Sequence, residues 1–123
     1  MSKLTYILVF ISVAGMSAAQ LLLKKGLLSI GQWPQNFSEI IKFFLKVFSN
    51  PYVISAVIMT LLTASAWILA LSKAELSNAY PFMALSYVLV AVFSLLFFKE
   101  DITVLRWFGI LVICLGVFLV SRS

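Results

Sequence analysis

The chain alternates between long stretches without a charge and short polar punctuation. Leu4 to Leu23 holds no charged residue, nor does Tyr52 to Leu71, nor Ala79 to Phe98; Val104 to Val120 holds only Arg106. A helix needs about 20 mainly apolar residues to cross the hydrocarbon of a bilayer. The pattern therefore predicts four membrane spans, over 4–23, 52–71, 79–98 and 104–120. The first run is too long for the ~7–15-residue core of a cleaved signal peptide. It also carries Gln20 and ends in Lys24-Lys25 without a cleavage site.

The one long connection, Gly26 to Asn50, has a pattern of its own. Ile40, Ile41, Phe44, Val47 and Phe48 recur at helical spacing, while Glu39, Lys42 and Lys46 fall together elsewhere. This predicts a short amphipathic helix over 38–48, lying in the headgroup plane. Asn36 or Ser38 is placed to cap it, Ser49-Asn50 to end it, and Pro51 to open the next span. The remaining connections, Ser72–Asn78 and Lys99–Thr103, are short enough to make antiparallel neighbours of the helices they join. The expected fold is an all-α membrane protein forming one transmembrane domain over 1–123: four transmembrane helices plus an interfacial helix, acting as a dimer.

Composition narrows the function. Of 123 residues 63% are hydrophobic and 11% charged, against roughly 45–50% and 25% in soluble domains; mean hydropathy is +1.14. That is too little polar surface for a water-facing globule and too much hydrophobicity for disorder. Cys114 is the lone cysteine and histidine is absent, so the sequence offers neither a disulfide framework nor a zinc site. No catalytic constellation, metal set or cofactor loop emerges, and an enzyme is not expected. The net charge of +5 comes from cations scattered between apolar runs, which suit anionic lipid headgroups rather than nucleic acid. With four spans both termini share a side. That side carries Lys3, Lys73 and Arg122, whereas the other carries Lys24, Lys25, Lys42, Lys46, Lys99 and Arg106. The positive-inside rule thus favours external termini.

Several positions stand out within the spans. Gly109 and Gly116 lie two helical turns apart on one face of the last helix and are candidates for a subunit interface; packing within the bundle is the alternative. Gln20 and Lys24, an i, i+4 pair, face one way. They offer an amide and a cation to a cargo headgroup, or else an interhelical hydrogen bond and a lysine reaching for the interface. Trp67, Tyr80, Ser86 and Tyr87 bring polar tips into apolar spans, as cavity lining or as packing. Pro81 is placed in the first turn of the third span. In the turn before the last span, Thr103 can cap, and Glu100, Asp101 and Arg106 are read as a structural ion cluster. No acidic residue sits at mid-depth in any span.

Trp67, Ala79-Tyr80-Pro81, Phe98-x-Glu100, Arg106-x-x-Gly109 and Gly116-Val117 resemble the drug/metabolite transporter superfamily. Four spans in so short a chain resemble its small multidrug resistance-like members. Two features depart from the drug exporters of that group: Met16 stands where they carry a proton-exchanging glutamate, and Met83 where they carry a Trp. Ser17-Ala18-Ala19-Gln20-Leu21 with Lys24, and Asn78-Ala79-Tyr80-Pro81 with Ser86-Tyr87, are more similar to the 4-amino-4-deoxy-L-arabinose-phosphoundecaprenol flippase subunits of the ArnE/ArnF type. That resemblance implies a polyprenyl-phosphate-linked sugar as cargo, moved across the bacterial inner (cytoplasmic) membrane for lipid A modification. It implies membrane lipids as surroundings, and a homodimer or a heterodimer with a related four-helix subunit. The substrate-binding residues would be Gln20, Lys24, Trp67, Tyr80, Ser86 and Tyr87. The rival readings are an exporter of cationic drugs or polyamines, and a non-transporting assembly subunit of a heterodimer.

Overall fold

The computed structural model describes residues 2–31 and 33–123. Helix α1 spans Lys3–Ile30, α2 Phe37–Ser49, α3 Pro51–Leu71, α4 Leu76–Ala79, α5 Leu85–Phe97 and α6 Val104–Arg122, with a 3-10 segment at Tyr80–Ala84 between α4 and α5. Four units are long and apolar enough to cross a bilayer: α1, α3, the run Leu76–Phe97, and α6. Their large apolar side chains point outward in number, among them Ile7, Leu61, Leu96, Leu111 and Phe118. Water cannot be the solvent of such a surface. The chain is a multi-pass, all-helical membrane protein.

The helix that carries the first span runs beyond the charge-free stretch 4–23. The Ser2 hydroxyl accepts the Thr5 N–H at 3.2 Å and opens it. Lys24 and Lys25 do not stop it, because lysine is a good helix former. It stops at Gly31, whose φ of 71° is the left-handed conformation that closes helices and whose N–H returns to the Leu27 carbonyl at 3.3 Å. At 28 residues the helix is about 42 Å long, more than the ~30 Å of hydrocarbon. The helix is thus longer than an untilted crossing requires, and its surplus follows Lys24-Lys25.

The tightest packing is between α1 and α3, which run antiparallel. On α1, Thr5, Ser12, Ala19 and Gly26 are buried at intervals of seven; on α3, Ala56, Thr63 and Ala70 repeat at the same interval. A seven-residue repeat keeps one face on a partner through a shallow left-handed crossing. Small side chains there let the backbones approach. Gly15 lies directly on Thr63, where a Cβ would overlap the hydroxyl, and Gly26 lies on Val53 and Asn50, where a Cβ would come within 2.7 Å of Val53 Cγ2. The Ser12 hydroxyl needs nothing across the gap: it donates to the Leu8 carbonyl at 2.8 Å in its own helix.

Asn50 locks the far end of this pair. Its Oδ1 accepts the Tyr52 N–H at 2.9 Å, and its Nδ2 donates to Ser29 Oγ at 2.8 Å on the last turn of α1. Helix α2 precedes it, capped reciprocally. Asn36 Oδ1 accepts the Glu39 N–H and Glu39 Oε2 accepts the Gln35 N–H, both at 2.9 Å. Only Val47 of α2 is buried, while Ile40, Ile41, Phe44 and Phe48 remain exposed.

The third span departs from the predicted continuous helix over 79–98. Helical structure starts at Leu76, so Pro81 falls beyond the first turn. Proline has no N–H and its ring collides with the carbonyl four residues back; the chain answers with the 3-10 segment. That detour seats Phe82 in the core. Its ring meets Tyr6 and Phe10 edge-on at 6.0 and 5.9 Å between centroids. Val9, Ala70, Ala79, Phe82 and Val117 form one cluster there, joining all four spans near the end that carries the termini.

Gly15→Ala should destabilise the protein by about 1–3 kcal/mol through overpacking against Thr63, read as thermal unfolding in mild detergent. Adding Thr63→Ala should recover most of the loss. Gly109→Ala, where nothing lies within 4 Å of the new methyl, should leave the transition in place or raise it slightly, because alanine is the better helix former. Equal losses at the two glycines would show that seam contact does not govern stability.

Candidate functional site

The sequence-predicted site residues fall into three places. Trp67 and Tyr80 come together, ring centroids 6.1 Å apart at 66°. Trp67 packs on the cluster around Val9 and Ala70, and Tyr80 is largely exposed beside it. Here an indole and a phenol form an edge-on pair at the end of the bundle that carries the termini.

Gln20 and Lys24 lie elsewhere on α1. Phe10, Val13, Ser17, Gln20 and Lys24 form one stripe at three- and four-residue spacing. In its first part Phe10 meets the ring of Phe82 while remaining half exposed, and Val13 and Ser17 are buried. At Gln20 and Lys24 the same stripe is exposed. With a rise of about 1.5 Å per residue, they stand about 16 and 22 Å beyond Val9 along the helix. The structure therefore does not bring them to the Trp67–Tyr80 pair. Gln20 Nε2 reaches Met16 Sδ at 3.9 Å, so the residue one turn back is a thioether, not an acid. Lys25, rotated off the stripe, holds its Nζ 4.7 Å above the ring of Tyr52, a cation–π contact that ties it to α3.

Tyr87 belongs to a third place. Helices α5 and α6 are both anchored near Phe82 and Val117, and part toward their other ends around a cavity of about 480 Å³. Tyr87, Val90, Ala91 and Ser94 of α5 form one wall. Arg106, Gly109, Ile110 and Ile113 of α6 form the other, and Glu100 and Ile102 of the intervening turn close the end. Ser86, half-buried one residue before Tyr87, is not part of the lining. Sequence reasoning read Glu100 and Arg106 as an ion cluster and missed Ser94. Among the described residues no ion pair joins Glu100 or Asp101 to Arg106; instead Glu100 and Arg106 border the same space. A second hollow of about 550 Å³ lies outside the spans, between the end of α1 and α2, bordered by Trp33, Glu39, Lys42 and Lys46.

On α6, Ile110 and Val117 face the bundle; Gly109 borders the α5–α6 cavity and Gly116 lies on an open flank, with nothing within 4 Å of an added Cβ at either. Packing within the subunit therefore does not account for either glycine.

Four apolar spans around a small-residue seam, with polar side chains near one end of the bundle, are the architecture of a small multi-pass membrane protein. The EamA-like transporter family matches residues 3–122, and the chain belongs to it. It is 34% identical to the probable 4-amino-4-deoxy-L-arabinose-phosphoundecaprenol flippase subunit ArnF of Photorhabdus laumondii, over 95% of this chain and 96% of that protein. The corresponding ArnF protein of Proteus mirabilis is 29% identical over 98% of this chain and 94% of its own length. The probable ArnE subunit of Pseudomonas fluorescens is 36% identical, but over 46% of this chain; the match spans about half the length of that relative. No solved structure matches the chain.

Proposed function

We propose that the protein is one subunit of a flippase that carries a polyprenyl-phosphate-linked sugar across the bacterial inner membrane, for modification of lipid A or another envelope glycan. Near full-length similarity to ArnF-type subunits carries this reading. The chemistry of α1 supports it. A cargo of this kind keeps its tail in lipid, so only a sugar and a phosphate need polar contacts. The exposed Gln20–Lys24 stripe supplies an amide and a cation at the edge of the hydrocarbon, and a phosphate there needs donors and a counter-charge. A proton-coupled exporter of cations would need an ionisable acid in the span, where this chain has Met16 in contact with Gln20.

The working unit in this reading is a dimer, with itself or with a related four-span subunit. The face of α6 at Gly109 and Gly116 is the surface for the partner. Helix α2 lies along the headgroups, with Ile40, Phe44 and Phe48 toward the tails and Lys42 and Lys46 toward phosphates.

Expressed with its partner in a strain lacking the ArnF-type subunit, the chain should restore aminoarabinose addition to lipid A, measured by mass spectrometry. Lys24→Glu should abolish the restoration at unchanged membrane levels. Persistent absence of modified lipid A with the wild-type chain present would overturn the reading; full activity of Lys24→Glu would remove Lys24 from the pathway.

In vesicles, purified protein should show no pH-driven uptake of a quaternary ammonium dye. Robust uptake would favour an exporter instead. Gly116→Leu, clear of the α5–α6 cavity, should shift dimers to monomers in mild detergent without altering helicity; dimers that persist would place the interface on another face.

A further inference from the structure

We propose that the hollow between the end of α1 and α2 is a binding site for one anionic phospholipid of the surrounding leaflet, of the phosphatidylglycerol kind. Lys42 and Lys46 hold its phosphate, and Trp33 and Phe43 flank its glycerol backbone. The site rests on the placement of α2 along the headgroups and not on the identity of the cargo. It makes a resident lipid, rather than a transported one, part of what holds this face of the bundle together.

The first observation is that α2 divides its chemistry between two sides. Phe37, Ile41, Phe44, Leu45 and Phe48 are exposed on one side, and a helix with such a face sinks it into a leaflet. Lys42 and Lys46, one turn apart, stand on another side and border the hollow. Among the described residues Lys42 has neither a hydrogen bond nor an ion pair. Glu39 borders the hollow too, but its Oε2 already accepts the Gln35 N–H at 2.9 Å, at the start of α2. From Lys24 to Asn50 the chain carries four lysines and one glutamate. A zwitterionic head would bring its ammonium against that excess of cations. A head of net negative charge meets it favourably.

The second observation is a preformed space with an amphipathic rim. The connection from α1 to α2 is fixed at both ends, by the left-handed Gly31 that closes α1 and by Asn36, whose Oδ1 accepts the Glu39 N–H at 2.9 Å. Pro34 holds the Trp33 backbone to extended conformations. Trp33 is 83% exposed at this rim; an indole is at home at headgroup depth, where its ring meets the acyl chains and its N–H the polar layer. Ile30, Pro34 and Phe43 complete the apolar part of the lining. They offer nothing to a free phosphate, but they accept a glycerol backbone and the first methylenes of its chains. The volume of about 550 Å³ lies within the ~300–1,000 Å³ of small-molecule sites. Val47 is the one residue of α2 that is buried against the bundle. A lipid seated between α2 and the end of α1 therefore gives this helix a second attachment.

The test uses the full-length chain with Trp33 as its sole tryptophan (Trp67→Phe, Trp107→Phe), in phosphatidylcholine vesicles. A fixed fraction of the lipid is brominated near the top of its acyl chains and is either phosphatidylglycerol or phosphatidylcholine. From the quenching of Trp33, the anionic lipid should be favoured by about fivefold, the scale of one net cation near the surface. Lys42→Gln should bring the two lipids to about parity, and Lys42→Arg should keep the preference. Lys99→Gln removes the same charge from the same side of the bundle at a remote turn, and should leave the preference unchanged. Soluble glycerol phosphate at millimolar concentration should not relieve the quenching. A Lys42→Gln protein that keeps the preference, equal losses in Lys42→Gln and Lys99→Gln, or relief by glycerol phosphate would overturn the site. Equal quenching by both lipids would overturn it and leave α2 among the headgroups. Quenching by neither would remove α2 from the leaflet as well. The flippase reading stands or falls separately, on lipid A modification.

Discussion

The close approach of α1 and α3 is the constraint on which the other helices depend. Lipid tails are as apolar as leucine side chains, so two spans gain nothing by hiding leucine from lipid; they associate by packing density and hydrogen bonds. Dispersion falls off steeply with separation, and the way to gain it between helices is to shrink what stands between the backbones. Thr5, Ser12, Ala19 and Gly26 on one side and Ala56, Thr63 and Ala70 on the other do this at a constant interval of seven. The interval fixes the crossing, and Gly15 on Thr63 and Gly26 on Val53 fix the register. Asn50 then clamps the end through Ser29.

What remains for the other two spans follows from that. The run through α5 attaches to α1 mainly by its 3-10 segment, where Phe82 lodges between Tyr6 and Phe10. Helix α6 has no small-residue seam against the bundle. Ile110 and Val117 are its buried residues, and only Val117 joins the cluster shared by all four spans. A helix pinned at one end and loosely held at the other leaves a wedge of space, and here the wedge is the α5–α6 cavity. The glycines of α6 therefore do work different from those of α1. Gly15 and Gly26 are filled by neighbours, whereas Gly109 and Gly116 face open space.

Much of this arrangement is legible in the sequence, and the failures are physical. Charge-free runs locate the spans because ionised groups do not rest in hydrocarbon. They misplace the end of α1, since Lys24 and Lys25 change its solvent but not its backbone, and the helix yields only at Gly31. Pro81 announces an irregularity but not its side: the helix begins before it, and the 3-10 segment absorbs it. The seam is hard to see because Thr5 and Ser12 count as polar, although their role there is to be small. The Gln20–Lys24 stripe is readable from spacing alone. Its separation from Trp67 and Tyr80 is not, because register between α1 and α3 belongs to neither helix separately. The pairing of Glu100 with Arg106 in one recess depends on the splay of α6, a property of the packed bundle.

Hydroxyls are a poor guide to a polar route through such a protein. Ser12, Ser17, Ser55, Thr60 and Ser65 all suggest polarity within the spans, yet each donates to the carbonyl four residues back in its own helix, at 2.8 to 3.1 Å. Such a bond satisfies the hydroxyl at little cost to the helix and leaves it little reason to meet a cargo. The groups not consumed in this way include the amide of Gln20, which has only a weak sulfur partner, the ammonium of Lys24, the hydroxyls of Thr63, Ser86 and Ser94, the phenols of Tyr80 and Tyr87, and the charges of Glu100 and Arg106. Gln20 and Lys24 lie on the half of α1 toward Ile30, and Glu100 and Arg106 flank the turn between α5 and α6 on that same side of the bundle. The opposite end is sealed by the aromatic and aliphatic cluster around Phe82. A single subunit is thus polar toward one face of the membrane and closed toward the other. In the reading proposed above, that asymmetry calls for a second subunit to complete the pathway across the bilayer.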